Sequence, residues 1–544
     1  MTLFDKMTDV IKQGGCISTD TLIRTNKGII KIGELLNCRD FSENPTSYCV
    51  FDGESFNHVL LAKNNGYSEV YKIKTDLGIE IKATYNHLVA TVGKDGKIKW
   101  KKVADLKEGD WLITVLNGHI GNEIRLPKLW NQHFNSNKLK IPEKLTRELA
   151  ELLGLYMADG CFSNGRLIFS INAKNKELYE EIKKLMNRVF GLKIGEVRDR
   201  KTYKDIVFFS KDLERYFEKL GWKKTSSKNA FVPTHIFRAK EEIICSFLKG
   251  LFEGDGCVHT DGYPILSSSS KILVQQVQQL LLSLGIVSRL SYIPKEKLKN
   301  HKGGDMYKLL LLTERGIKKF KDKIGFISEE KNKKINFKPK KIEYCDLIPN
   351  LKELFSKYYT WVGRGCGPGR SKKGANLKYY KAVYHYLKGE RNLTRKNLKK
   401  LIQKFEFLAK DETLRNIVDD KYFYTRIKKI EKEENVYTME IEVPESGYFV
   451  ANGILVHNVR RGANIGILNI DHPDIEKFIV AKRKNLGLKN FNISVFIKPE
   501  FWEYYEKNKP YPLINPRNKK IVKYVDPAHL LNLIAYQAWE SAEP

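Results

Sequence analysis

The chain has 544 residues, 96 Lys and Arg against 64 Asp and Glu, a formal net charge of +32 and 42% hydrophobic residues. That is enough for roughly three to four domains, and the basic excess favours a polyanionic partner, nucleic acid first. Eight cysteines with no CxxC pair argue against a disulfide scaffold and for a reduced, cytoplasmic compartment; there is no secretory leader and no membrane-spanning apolar run.

The first fifteen residues predict an amphipathic helix, with Leu3, Phe4, Met7, Val10 and Ile11 on one side. Then comes Gly14-Gly15-Cys16. A Cys after Gly can attack the preceding carbonyl through sulfur and turn the peptide bond into a thioester, and glycine leaves that carbonyl sterically open. Alone, Cys16 reads as a buried structural thiol. Residues 16–116 are dense in short strands: Thr21-Leu22-Ile23 and 28–32 flank a turn at Asn26-Lys27, and 70–74 and 79–82 alternate around Asp76-Leu77-Gly78. Thr84 and His87 follow the second hairpin. Thr84 is suited to holding the Cys16 amide and His87 to protonating it as it departs; the structural alternative is a His at a strand end. Residues 104–112 turn into another strand.

An internal repeat follows. Leu152-Leu153-Gly154-Leu155-Tyr156-Met157-Ala158-Asp159-Gly160-Cys161 recurs 96 residues later as Leu248-Lys249-Gly250-Leu251-Phe252-Glu253-Gly254-Asp255-Gly256-Cys257. Each copy predicts a helix, a strand pair, an amphipathic helix (176–190; 272–284), a strand (206–209; 309–312) and a last helix ending at Gly221-Trp222 or Gly325-Phe326. Two such copies predict an α+β domain with a pseudo-twofold axis. Small residues four apart (Gly154 and Ala158; Gly250 and Gly254) let two helices approach closely, and a Gly after each Asp suits a helix end. Asp159 and Asp255 would then lie together at two helix C-termini, where the dipoles and their mutual repulsion disfavour both charges. Bound divalent cations relieve this, and an all-oxygen site suits Mg²⁺. Such metals serve phosphodiester hydrolysis.

Residues 370–410 hold 13 Lys and Arg against two Glu, interleaved with Tyr379, Tyr380, Tyr384 and Tyr386, and Thr394 is placed to cap a helix. The stretch reads either as a small helical basic module on DNA phosphates or as a solvated charged subdomain. Residues 363–370 form a glycine-rich loop. The run Leu455-Val456-His457-Asn458 mirrors the Cys16 junction. An Asn can attack its own C-terminal peptide bond through its side-chain amide, and His457 can assist; alone, Asn458 is as readily a turn residue.

Taken together these pieces resemble an intein on the all-β Hint fold. Its first half matches at residues 16–21, Thr84…His87 and Leu106…Gly109-Asp110, and its second half at 436–441 and 448–458. The family has an Asp where this chain has Thr438 and commonly a His where it has Gly447. The repeat resembles the two-motif LAGLIDADG homing endonucleases. That resemblance implies metal binding by Asp159 and Asp255, an active-site lysine for which Lys228 is the candidate, paired four-stranded sheets forming a saddle, and a long asymmetric double-stranded DNA target. The sheets would include 166–169 and 197–200. The joined flanks Gln13-Gly14-Gly15 and Val459-Arg460-Arg461-Gly462 resemble the large subunit of ribonucleotide reductase. No Cys lies in the flanks, so they would need the remainder of the reductase as partner.

The expected fold class is therefore multidomain: host fragments at 1–15 and 459–544, an all-β Hint domain split into 16–140 and 421–458, an α+β endonuclease at 141–335 and an accessory module at 336–420. The expected chemistry is a thioester at Cys16, cyclisation of Asn458 and DNA cleavage with Mg²⁺, splicing itself needing no cofactor. A decayed DNA-binding insert, or a reductase whose insert is incidental, are the alternatives. Common inteins carry Cys, Ser or Thr after the terminal Asn; Val459 closes the branched route. Either the freed α-amine of Val459 attacks the thioester directly, or the pieces separate.

Overall fold

The computed structural model describes residues 15–36, 43–128, 139–297, 304–336, 346–349, 351–359, 377–388, 390–458, 464–482, 491–541 and 544. The helix expected before Gly15, the loop 363–370 and Val459 lie outside these. Cys16–Asn458 forms one compact unit, and Met1–Gly15 with Val459–Pro544 groups as the other.

Within the first unit, β-branched and alternating segments form a 14-stranded sheet system. Leu22–Thr25 and Gly28–Lys31 pair across Asn26-Lys27, and Leu61–Thr75 and Glu80–Ala83 pair across the Asp76-Leu77-Gly78 turn. The sheet is completed from far along the chain. Tyr422–Glu442, 21 residues long, runs antiparallel to Leu61–Thr75 from Ile427↔Thr75 to Glu442↔Leu61. It also takes Trp111–Val115 on one stretch and Ile17-Ser18 on another. The hairpin Tyr448–Ala451 and Ile454–His457 inserts beside it. Ile23, Ile73, Ile81, Val89, Leu112, Met439, Phe449 and Val456 fill the core between them.

The repeat folds as two matched α+β halves. Arg147–Asp159 leads into the sheet Gly160–Ser163, Arg166–Asn172, Glu196–Asp199 and Tyr203–Phe209; Glu241–Asp255 leads into Gly256–Val258, Pro264–Ser268, Ser288–Ile293 and Met306–Leu311. Both sheets are antiparallel, and in each the third strand in sequence lies on the edge beside the fourth. The two motif helices meet backbone to backbone: a Cβ on Gly154 would overlap Phe247 O, and one on Gly250 would overlap Glu151 O. The glycine after each aspartate has a different reason from the left-handed cap its position suggests. Gly160 (φ −86°) and Gly256 (φ −107°) are extended. A Cβ on Gly160 would lie 2.6 Å from Tyr156 Cδ2, and one on Gly256 would overlap Phe252 O, so each helix turns into its strand only without a side chain there.

The basic stretch contributes the helices Leu377–Leu387 and Arg395–Lys404, with Thr394 accepting from the Asn397 N–H at 3.4 Å as expected of a cap. With Leu351–Tyr359, Glu406–Ala409 and Glu412–Ile417 they pack Leu354, Phe355, Val383, Leu398 and Leu414 against Ala90, Val92, Ile113 and Tyr424 of the sheet. Arg395, one of the basic residues counted for DNA, is instead 3% exposed. It donates to Asp346 at 3.1 Å and to Tyr422 O at 2.7 Å, and stacks on Tyr424.

The second unit pairs Asn464–Asn469 with Phe491–Phe496 in parallel and packs Ile470, Ile475, Ile479, Phe501 and Leu530 into a small core. Among the described residues no helix is long and apolar enough to cross a membrane.

The interhelix glycines generate a prediction. Gly154→Val forces the helices apart and lowers the stability of the two-helix domain by ~1–3 kcal/mol or more. Urea unfolding of the full chain will show the loss as a lower transition midpoint.

Candidate functional sites: two junction residues and a paired-carboxylate centre

At the first junction, Ile17 is held between Met439 and Ala83, which fixes Cys16 at the sheet's edge. The Cys16 N–H donates to Thr84 Oγ1 at 2.8 Å, the Thr84 N–H donates back to Cys16 O at 2.9 Å, and the Thr84 hydroxyl donates to Asn86 Oδ1 at 2.8 Å. Thr84 therefore holds the amide nitrogen of Cys16. The His87 N–H donates to Thr84 O at 3.0 Å and closes the turn, and its ring is buried. On the sulfur side, Asn65 Nδ2 donates to Cys16 Sγ at 2.7 Å and Glu440 Oε2 lies 3.9 Å from it.

Thr438, where the resemblance leads one to expect an acid, is turned away from the thiol. It is fully buried, donates to Gly66 O at 3.1 Å and lies 3.1 Å from Ser68 Oγ.

At the other junction, Val456 pairs with Val89, two residues beyond His87, so the strands carrying the two half-sites are neighbours. His457 Nδ1 lies 2.6 Å from Asn458 O; a carbonyl can only accept, so the imidazole is the donor. That oxygen belongs to the carbonyl Asn458 would attack, and a donor on it stabilises the developing oxyanion. The ring is steadied edge-to-face on Trp100 at 5.0 Å. Asn458 Nδ2 donates to Val443 O at 3.0 Å, and the backbone N–H to Gly447 O at 3.0 Å. Gly447 has φ +74°, and a Cβ on it would lie 3.7 Å from Asn458 Oδ1 and 3.9 Å from His457 Nε2. A side chain at this position would thus point at both groups, yet the backbone conformation disfavours one.

The second centre forms where the motif helices end. Asp159 and Asp255 are the last residues of their helices. A Cβ on Gly254 would come 2.9 Å from Asp159 Oδ2, which shows how tightly the two ends converge. Burial pushes both carboxyls upward. Asp255 reaches about 7, with the neighbouring Asp159 charge as the second cause; Asp159 shifts the same way, although its side chain opens to solvent at one edge. The lysine beside them is Lys224, not Lys228. Lys228 is exposed on a short turn next to Gly304, whereas Lys224 is 7% exposed and donates to Met157 O at 2.8 Å and Ala158 O at 3.0 Å. Burial drops its ammonium to about 8, against the pull of both aspartates. Lys331 does the matching work on the other helix, bonding Glu253 O and lying 3.3 Å from Glu253 Oε1. Both lysines follow the end of their repeat half, after Trp222 and Phe326. The donor set is carboxylate oxygen whose ionisation is held back by burial and, at Asp255, by the neighbouring Asp159 charge, which fits a hard divalent cation.

The sheets that flank this centre bury Leu167, Phe169, Ile171, Ile206 and Phe208 on one face; the other carries Arg166, Ser170, Asn172 and Tyr203. Arg198 on the edge strand is paired with Glu196 at 2.7 Å. The second sheet's corresponding face carries Ser267, Lys308, Arg289 and Ser291.

Comparison with known proteins adds matches of three kinds. A LAGLIDADG-like domain matches residues 146–221 and 242–325, and the ribonucleotide reductase barrel domain matches 450–544. The vitamin B12-dependent ribonucleoside-diphosphate reductase of Thermoplasma acidophilum is 45% identical over 86 residues, 16% of this chain and 11% of that protein. Longer matches go to proteins with unrelated names. The replicative DNA helicase DnaB of Synechocystis sp. is 26% identical over 92% of this chain and 56% of the helicase, and the glutamine–fructose-6-phosphate aminotransferase of Methanocaldococcus jannaschii is 26% identical over 61% of this chain and 29% of that enzyme. These two matches extend over most of the chain, whereas the reductase match is confined to 86 residues. The chain fits an intein with a homing endonuclease in a ribonucleotide reductase. This intein-bearing chain spans little more than half of the first of these relatives (56%) and less of the others. Among solved structures, the homing endonuclease I-DmoI in complex with DNA and Ca is similar at 21% identity and TM-score 0.25, over 33% of this chain and 88% of that one. The gp41-1 intein is similar at 24% identity and TM-score 0.15, over 19% and 69%.

The acid–base state of the carboxylate centre gives a prediction. Asp255 is raised from 3.8 to about 7, so its contribution to stability is full below about 4 and is lost as pH rises through about 7. Asp255→Asn removes the strain of ionisation. It will raise the metal-free melting temperature at pH 8 and leave it nearly unchanged at pH 4. Differential scanning calorimetry at both pH values, with EDTA present, checks the sign.

Proposed function

We propose that the chain processes itself at Gly15–Cys16 and Asn458–Val459, and that residues 141–335 cut double-stranded DNA at a long asymmetric site with Mg²⁺. The observation that carries the first half is the placement of the step-specific groups: Thr84 on the amide nitrogen of Cys16, and His457 on the carbonyl oxygen of Asn458. Cys16 Sγ attacks the Gly15 carbonyl carbon, the amide nitrogen departs under the hold of Thr84, and His87 supplies a proton. Asn458 Nδ2 attacks its own carbonyl while His457 polarises it, and a succinimide forms as the downstream chain leaves. With Val459 no branched ester or thioester can form. The released α-amine, with a pKa of about 7.7–8.0, attacks the Gly15 thioester directly when the two are held together. The ligated product is the host reductase sequence, whose own activity requires the rest of that protein.

For the second half, Asp159 and Asp255 hold the metal. A bound Mg²⁺ would supply Lewis-acid stabilisation of the phosphodiester oxygens and a more acidic water. Lys224 fixes the end of the first motif helix and presents positive charge beside the scissile phosphate, and the polar faces of the two sheets take the DNA backbone and grooves. The basic helices of 336–420 add phosphate contacts.

Two experiments test this. Time-resolved mass spectrometry of the purified chain should show the Val459 fragment before ligated product, and no branched species. Cys16→Ala should stop cleavage at Gly15 and Asn458→Ala should stop cleavage at Val459; undiminished cleavage at Gly15 in Cys16→Ala overturns the assignment. For the nuclease, Asp159→Asn or Asp255→Asn should lower cutting of the intein-free host gene by 100-fold or more while site binding persists, on the order expected for a lost metal ligand. Cutting by the double Asn variant with Mg²⁺ would rule these residues out.

A further inference from the structure

We propose that Glu440 is the general base for the Cys16 thiol and that Asn65 is the positioning residue that aims it; this rests on the self-processing reading above. One feature of the long strand pair produces the arrangement. Thr438 pairs with Gly66 and Met439 with Asn64, so Asn65 is the extra residue of a β-bulge. A bulge leaves one residue out of the ladder and re-aims its side chain, and bulges gather beside active sites for that reason. Asn65 Nδ2 meets both Cys16 Sγ at 2.7 Å and Glu440 Oε2 at 2.9 Å. The bulge also separates the fates of Thr438 and Glu440. The first is buried against Gly66 and Ser68, and the second reaches the sulfur. The acid that the family places at 438 is thus replaced from two residues further along the same strand.

The chemistry matches what the thioester step lacks. A thiol is a weak nucleophile until its proton is removed, and none of Thr84, Asn65 or Asn86 can accept that proton as a base. Glu440 is the carboxylate at the sulfur, its side chain 20% exposed, with Lys63 3.9 Å from its other oxygen. In the step, Glu440 takes the Sγ proton as sulfur bonds to the Gly15 carbonyl carbon. The Gly15–Cys16 C–N bond then breaks, and the nitrogen gains one proton to become the free amine of Cys16. His87 gives the nitrogen its proton, Glu440 passes the thiol proton to solvent and His87 regains one from solvent, so both residues are regenerated and no other reactant is consumed. Asn65 donates to the sulfur throughout and stabilises the charge that builds on it.

The test uses the full chain carrying Asn458→Ala, so that only the first step reports. Dithiothreitol intercepts the thioester and releases the upstream peptide, which mass spectrometry counts. Glu440→Gln should slow release by ~100-fold, in the range of a lost general base, and Glu440→Asp should restore most of it. In parallel, iodoacetamide labelling of Cys16 at pH 7 is followed by peptide mapping, with Cys49 of the same sheet system as internal reference. Removing the neighbouring negative charge lowers the thiol pKa, so Cys16 in Glu440→Gln should label several-fold faster while cleaving slower. Equal release by the Gln variant and its parent overturns the proposal, as does slower release with slower labelling. If the parent itself releases nothing, the self-processing reading fails; unchanged Cys16 labelling in the Gln variant would then overturn the Glu440 contact too.

Discussion

The pairing of Tyr422–Glu442 with Leu61–Thr75 is the contact on which the proposed junction chemistry depends. It closes a loop of more than 340 residues, and loop-closure entropy grows only slowly with length, so the insertion of a whole domain between the strands costs little beyond what a short loop would. In return the ladder delivers Met439 to Ile17 and Glu440 to the sulfur of Cys16. The strand ends at Glu442, and the next residue, Val443, accepts from the side-chain amide of Asn458. One strand and its continuation thus serve both junction residues, so their positions cannot drift independently.

The paired-carboxylate centre works on an opposite principle. Backbone contact through Gly154 and Gly250 forces two helix C-termini, and with them two aspartates, into one place. Electrostatically the result is poor: the Asp255 carboxyl is raised to about 7 and the Lys224 ammonium lowered to about 8. Packing of Leu152, Leu155, Leu248 and Leu251 around the glycines sustains the strain. A site built this way is poised to take up positive charge.

Much of this was legible in the sequence wherever a pattern repeats or a side chain acts through its neighbours in the chain. The repeat placed both motif helices, the amphipathic helices now at Lys176–Phe190 and Lys271–Ser283, and both aspartates, because helical periodicity is local. Thr84, His457 and Asn458 could be singled out as candidates because turn and terminal strand carry their own chemistry. Lys224 could not be separated from Lys228, four residues away, since only the fold tells a buried amine from an exposed one. Asn65 and Glu440 were invisible for a related reason. A bulge is a mismatch of register between two strands, and neither strand shows it alone. The role of Arg395 as an internal staple was hidden in a run of solvated lysines.

The splicing and endonuclease parts also share side chains. Leu282, Val287 and Leu312 of the repeat lie in the core of the sheet domain, Ile29 of the sheet lies in the core of the repeat, and a Cβ on Gly28 would overlap the backbone of Arg238. The turn before the last strand is gripped as well, with Gln279 Nε2 donating to Asn452 O at 3.1 Å and Asn452 bridging to Leu22 and Glu80. Heredity would feel this. A nuclease that has stopped cutting can accumulate substitutions at its aspartates without harm to the host, but excising it by deletion would open the neighbour's core to water. The decayed descendants of such a gene should therefore keep the length of the insert long after its activity has gone.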